Sequence, residues 1–220
     1  MQIQLYGRTI ELANPSWETE ARWGGRLSPE PETVAWIESM APGEVFFDVG
    51  ANVGYHAIRA ACRGLCVHAF EPQVEQQAEL ARNAKANGLN ITTHWAAVSN
   101  FGGMGSIVPG RSAATLEPAG NGNVPVVTLD QMAKTLQLQP HHIKIDVDGN
   151  EPEIIEGGRG TIAKAKSVLI EIDPGAPGHT AIVSVMRELG FSFDPAQVEA
   201  CREPEGTKFA GMANHIFRRA

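Results

Sequence analysis

Asp48 closes an apolar run in "VFFDVGANVGYHAI", and Gly50, Asn52 and Gly54 follow it at alternate positions. A strand that runs through a glycine loop into a helix is the arrangement that holds nucleotide-like ligands. A dinucleotide site would want G-x-G-x-x-G, so that the backbone can approach a pyrophosphate. Here an asparagine stands at the middle position, and the Asp48 carboxylate would repel two phosphates. It suits a ligand with cationic centres, such as the ammonium and sulfonium of S-adenosylmethionine, with the loop amides open to that ligand's carboxylate. Glu71, in "VHAFEPQ", ends the next apolar run, where an acid can accept from both hydroxyls of a ribose. Gly50 and Gly54 would also serve a plain tight turn, with Asp48 capping the helix.

These residues need a sheet to hold them. "EVFF" reads as a buried strand, "LCVHAF" (65–70) as the next and "ITTHWAAV" (91–98) as the third. Between them Tyr55, Ile58 and Cys62, then Val74, Ala78 and Ala81, recur at helical spacing. Residues 99–123, rich in Gly, Ser and Asn, read as a loop with one short hairpin. "VPVVTL", a helix near 130–136, strand "HIKIDV" (142–147), helix 151–158, strand "SVLIEI" (167–172) and helix 179–189 continue the alternation. "GMANHIFRR" reads as an antiparallel edge strand. This βαβα order predicts an α/β fold with a mostly parallel sheet covered on both faces. Residues 1–43, with Trp17, Trp23 and Trp36, form an N-terminal cap segment before a domain over 44–220.

The 220 residues suit one domain, and 43% apolar with 20% charged residues is an ordinary soluble globular composition. A formal charge of −7 lacks the basic stripe that polyphosphate partners require, so nucleic acid is not the expected partner. No apolar run is long enough for a membrane span, and the N-terminus lacks a signal-peptide layout; a cytoplasmic location is expected. Cys62, Cys66 and Cys201 suggest neither a disulfide framework nor a zinc site.

"FFDVGANVGYHAI", "VHAFEPQ", "AAVSNFGG", "VPVVTLDQM", "IKIDVDGNEPEIIEG", "VLIEID" and "ANHIFRR" come in an order that resembles the FkbM-type family of S-adenosylmethionine-dependent methyltransferases, over about residues 30–219. The resemblance implies a Rossmann-like class I methyltransferase fold of seven strands, the last antiparallel. It implies O-methylation of a hydroxyl on a sugar, lipid or secondary metabolite. By position, Asp48, Gly50, Asn52 and Gly54 would hold the methionine part, Glu71 the ribose, and the backbone near Ala97 and Val98 the adenine. The family more often has Glu where this chain has Asp148.

In-line transfer to an alcohol needs alignment, exclusion of water and removal of a proton. "HIKIDVDG" delivers Lys144, Asp146 and Asp148 to one face of a strand by alternation, with both acids at its carboxyl end. Asp146 is the expected contact for the cofactor's amino group or the acceptor hydroxyl. Glu171 is a second base candidate, His56 a third, and Lys144 pairs with an acid. Asp148-Gly149-Asn150 would equally cap helix 151–158. Asp146 and Asp148 are the metal candidates, should a divalent cation such as Mg²⁺ be required. Arg111, in the 99–123 loop, could grip an anionic acceptor. Two other readings stay open at this point: a nicotinamide-dependent oxidoreductase on the same sheet, and a non-catalytic S-adenosylmethionine-binding protein.

Overall fold

The structure, a computed structural model, describes residues 1–12, 15–24, 30–108, 115–147, 149–207 and 210–219. Arg111 and Asp148 lie outside the described residues. The chain has an α/β fold with a large mixed sheet, and it divides into two compact units, Met1–Trp95 and Ala96–Ala220.

In the first unit, β1 (Gln2–Leu5) and β2 (Arg8–Glu11) form a hairpin. Its two-residue turn, Tyr6-Gly7, has positive φ at both positions, the backbone that matches strand twist. Helices α1 (Trp17–Trp23) and α2 (Pro31–Glu38) follow. Trp36 is buried edge-on against Phe46, and Trp23 packs against Tyr55, whereas Trp17 is exposed. Two of the three early tryptophans thus clip this segment to the strand and helix that come next.

Those are β3 (Val45–Val49) and α3 (Tyr55–Cys62), followed by β4 (Cys66–Phe70), α4 (Val74–Ala86) and β5 (Ile91–His94). The three strands pair in parallel in the order β3-β4-β5, and every residue of β3 is buried, as expected of a parallel strand covered on both faces. Helix α4 departs from its apolar pattern. Val74 is exposed, Ala78 and Ala81 are half-buried, and the buried positions are Glu79, Leu80, Asn83 and Ala84. The reason is polar packing: Glu79 Oε1 accepts from the Ser16 amide at 3.1 Å and the Thr19 hydroxyl at 2.6 Å, so the N-terminal segment lies on a polar stripe of α4.

In the second unit, β6 (Ala97–Val98), β7 (Gly103–Val108), β8 (Thr115–Pro118) and β9 (Val124–Val127) form a four-stranded sheet in the order β6-β9-β7-β8. This corrects two expectations. "ITTHWAAV" is two strands in different sheets, interrupted at Trp95-Ala96, and "VPVV" belongs to the small sheet. Ala97, Val124 and Val126, with Phe101 and Leu116, form its apolar cluster. The expected hairpin within 99–123 is β7-β8.

Next come α5 (Leu129–Leu136), begun by a Thr128/Gln131 capping box, then β10 (His142–Ile145), α6 (Glu151–Gly157), α7 (Arg159–Ile162) and β11 (Ser167–Ile172). Helix α8 (His179–Glu188), β12 (Phe191–Ser192), α9 (Pro195–Ala200) and β13 (Ala213–Arg219) complete the chain. The strand order is β12-β13-β11-β10, with β10 and β11 parallel and β13 antiparallel to both its neighbours. The last strand is antiparallel, as its sequence suggested, but short β12 takes the edge beside it.

Candidate functional site

The loop after β3 has left-handed backbone at alternate residues: Gly50 at φ 79°, Asn52 at 49° and Gly54 at 88°. The asparagine in the middle therefore keeps a conformation that glycine would adopt freely. Asn is among the side chains that tolerate it, and Asn52 Oδ1 accepts from the Val53 amide at 2.6 Å. At Gly54 a Cβ would stand 2.2 Å from Leu80 Cδ1, so the missing side chain lets α4 close onto the loop.

The loop amides, expected to be open to a ligand, are spent inside the fold. Gly50 and Ala51 N–H both donate to Phe70 O, Asn52 N–H to Glu71 Oε2 at 2.8 Å, and Gly54 N–H to Ala51 O. Gly54, as N-cap of α3, gives its first turn no side-chain acceptor. The donors that turn offers are the amides of Tyr55, His56 and Ala57, one step beyond those the sequence suggested.

Glu71 is almost fully buried just beyond β4. Its Oε2 accepts from Asn52 N–H and its Oε1 from Gln73 N–H at 2.9 Å, while its own amide donates to His94 O. Two main-chain donors fix the carboxylate plane. The carboxylate is thereby anchored at the carboxyl end of β4, the place where an acid can meet a ribose. Asp48, at 1% exposure near the end of β3, is held in register beside Ala69. Trp95, which composition arguments passed over, stands 44% exposed with its indole N–H donating to Pro72 O, immediately after Glu71.

His56 turns the other way. Its Nε2 lies 3.2 Å from Glu30 Oε2 and its ring meets Tyr55 edge-on, which ties α3 to the start of α2.

In the second unit, Lys144 is buried at 2% exposure and its Nζ donates to Asp146 Oδ2 at 2.5 Å, the pairing that strand alternation predicted. Asp146 itself is 26% exposed and directly follows the last residue of β10. Its neighbour Val147 donates its amide to Glu151 Oε1 at 3.0 Å. Asn150 is the N-cap residue of α6 but makes no side-chain cap; its Nδ2 donates to Val98 O at 2.9 Å. Asn150 thus ties the loop after β10 to β6 instead of capping α6 with its side chain; Asp148 of the same turn lies outside the described residues. Ala97 and Val98 are buried and paired in register with Val126 and Val127. Glu171, half-buried, stands opposite Asn214 of β13.

Among the described residues no three His, Cys, Asp or Glu side chains converge as metal ligands. The three cysteines form no disulfide and are of intermediate exposure. No helix among the described residues is long and apolar enough to cross a membrane.

Residues 48–193 match the methyltransferase FkbM domain. The chain belongs to the FkbM methyltransferase family. Among curated relatives it is similar to the hexuronic acid methyltransferase AglP of Haloferax volcanii, 27% identical over 145 residues, or 63% of this chain. It spans 60% of that relative's length. Among solved structures it is similar to magnesium protoporphyrin IX methyltransferase of Synechocystis, with bound S-adenosylmethionine, at a TM-score of 0.57 and 15% identity over 94% of this chain and 86% of that one. An rRNA methylase of Streptococcus thermophilus aligns at a TM-score of 0.56 and 10% identity over 88% and 97% of the two chains. These likenesses establish the Rossmann-like methyltransferase fold for this FkbM chain. Because such different proteins share that fold, it does not choose an acceptor.

Proposed function

We propose that this protein transfers a methyl group from S-adenosylmethionine to an oxygen, with a sugar hydroxyl as the acceptor class. The observation that carries the reading is the Asn52–Glu71 hydrogen bond, which makes the loop after β3 and the acid after β4 a single preorganised acceptor of a ribose. Asp48 favours the same ligand over a dinucleotide, because a buried carboxylate beside the loop repels phosphate and attracts a cation. The likeness to a hexuronic acid methyltransferase supports a sugar acceptor, and the −7 charge disfavours a polyanionic one.

When bound, S-adenosylmethionine supplies an electrophilic methyl carbon on a sulfonium that leaves as a neutral thioether. Glu71 holds the ribose hydroxyls; Asp48, Gly50, Asn52 and Gly54 shape the methionine end; the main chain at Ala97 and Val98 borders the adenine. Asp146 is assigned to the cofactor's amino group or the acceptor hydroxyl. Lys144 Nζ donates to its Oδ2 and fixes its rotamer. Glu171 and His56 remain the other base candidates, and the Glu30 contact of His56 gives that residue a competing structural duty.

Calorimetry with S-adenosylmethionine, S-adenosylhomocysteine and NADH tests the cofactor. Binding of NADH but not of either sulfur ligand at millimolar concentration sinks the reading in favour of an oxidoreductase. Sulfur-ligand binding without S-adenosylhomocysteine formation across a broad panel of sugars would leave a binding protein.

A further inference from the structure

Glu151 and His179 are the first residues of α6 and α8, where polar side chains ordinarily face water, yet they are 1% and 2% exposed. Burying a carboxylate is costly unless it is paired, so its partners identify its role. Glu151 Oε1 reaches back four residues to accept from Val147 N–H, and Oε2 lies 3.0 Å from His179 Nε2. On the far side of the ring, Nδ1 accepts from Asp173 N–H at 3.0 Å. An accepting Nδ1 puts the proton of a neutral ring on Nε2, facing the carboxylate.

The chain of contacts runs from the end of β10, through Glu151 and His179, to the residue that follows β11. The N-caps of the two helices, Asn150 and Gly178, contribute no side-chain cap, so the buried pair joins these two strand-end loops without their help. Its inner end sits on a particular peptide. The Val147 N–H belongs to the unit that links Asp146 to Val147, and a hydrogen bond there fixes the backbone torsion that aims the Asp146 carboxylate.

We propose that Glu151 and His179 are positioning residues that hold the Asp146–Val147 peptide, and through it Asp146, for proton handling at the acceptor. The inference rests on the second of the two roles given to Asp146 above, contact with the acceptor hydroxyl. The imidazole is required as a two-ended connector, with Nε2 3.0 Å from Glu151 Oε2 and Nδ1 accepting from Asp173 N–H. Leucine of similar size removes both ends and leaves Glu151 Oε2 buried against an apolar side chain. Glutamine can supply one donor and one acceptor.

The test compares the full wild-type chain with His179→Leu, His179→Gln and Glu151→Gln. Amide hydrogen exchange at Val147 is read without ligand, then S-adenosylmethionine affinity by calorimetry, then kcat. In His179→Leu, Val147 exchange should rise at least about tenfold as the local opening becomes easier. Its kcat should fall by about ten- to a hundredfold, since a displacement near 1 Å can cost that much, with cofactor affinity within about threefold of wild type. His179→Gln should recover much of both. If His179→Leu does not fold, Glu151→Gln carries the test, because its carboxamide sets N–H against the ring N–H and should lower kcat without weakening cofactor binding. Wild-type exchange at Val147 in His179→Leu, or a fall in cofactor affinity as large as the fall in kcat, overturns the proposal. Failure of the wild-type chain to bind S-adenosylmethionine would instead defeat the methyltransferase reading, while Val147 exchange still decides whether the pair holds the peptide.

Discussion

The Asn52 main-chain N–H donates to Glu71 Oε2 across 2.8 Å, so the loop after β3 cannot move independently of the acid after β4. Glu71 therefore has two duties, one toward the loop and one toward the proposed ribose.

Replacing Glu71 with alanine should weaken S-adenosylmethionine binding by at least about tenfold, because each hydrogen bond to a charged group is worth about 1.5–3 kcal/mol. It should also lower the melting temperature, since Asn52 and Gln73 amides lose their acceptor. Glu71→Gln keeps part of the acceptor set and should fall between. Asp48→Ala is expected to weaken cofactor binding as well. Calorimetry and thermal melts check all three, and unchanged affinity in both alanine variants would remove the site assignment.

Loop backbone can be tested apart from chemistry. Asn52→Gly should be nearly silent in stability, whereas Asn52→Val, at φ 49°, should cost about 1–2 kcal/mol for left-handed backbone. Gly54→Ala should lose a similar amount to backbone and about 1–3 kcal/mol more to overpacking against Leu80. Urea midpoints of the three variants give the comparison. An Asn52→Val chain as stable as wild type would contradict the backbone account.

Asp146→Ala should abolish most turnover and also destabilise the chain, because it takes the Asp146 carboxylate away from a lysine that is 2% exposed. One-sided disruption of a buried pair costs about 3–5 kcal/mol, and the partial exposure of Asp146 should reduce that to roughly 1–3. The double change Lys144→Met with Asp146→Ala should recover stability without recovering kcat. Equal recovery of both would show that Asp146 serves the fold alone.

Stability should fall on acidification through a histidine pair. His68 Nδ1 and His94 Nε2 lie 3.0 Å apart with stacked rings, and His94 also stacks on Phe70. Burial first, and the neighbouring His68 second, push His94 from 6.5 down to about 4; burial lowers His68 too. The unfolded chain then binds more protons than the folded one as pH drops from 6.5 to about 4. The contribution is complete above 6.5 and is lost through that window. His94→Phe should flatten the pH dependence of the urea midpoint between pH 6.5 and 4; a slope equal to wild type would exclude this source.

The alternation of buried strands and helices, the antiparallel last strand and the acids at the ends of β3, β4 and β10 were legible in the sequence, because each depends on local periodicity or on residue type at a strand end. Lys144 with Asp146 was legible for the same reason, since a period of two puts both on one face. Other features depend on partners remote in sequence. Glu79 is buried because Ser16 and Thr19 meet it, "ITTHWAAV" divides because its two ends pair with different sheets, and Asn150 leaves its helix for Val98. The fate of the loop amides was equally hidden, because Phe70 O and Glu71 consume donors that the motif alone leaves unassigned. Sequence by itself determined which residues stand where strands end, since side-chain direction follows from backbone repeat. Tertiary structure alone decided which polar groups are already paired, since that depends on which chain segments fold against each other.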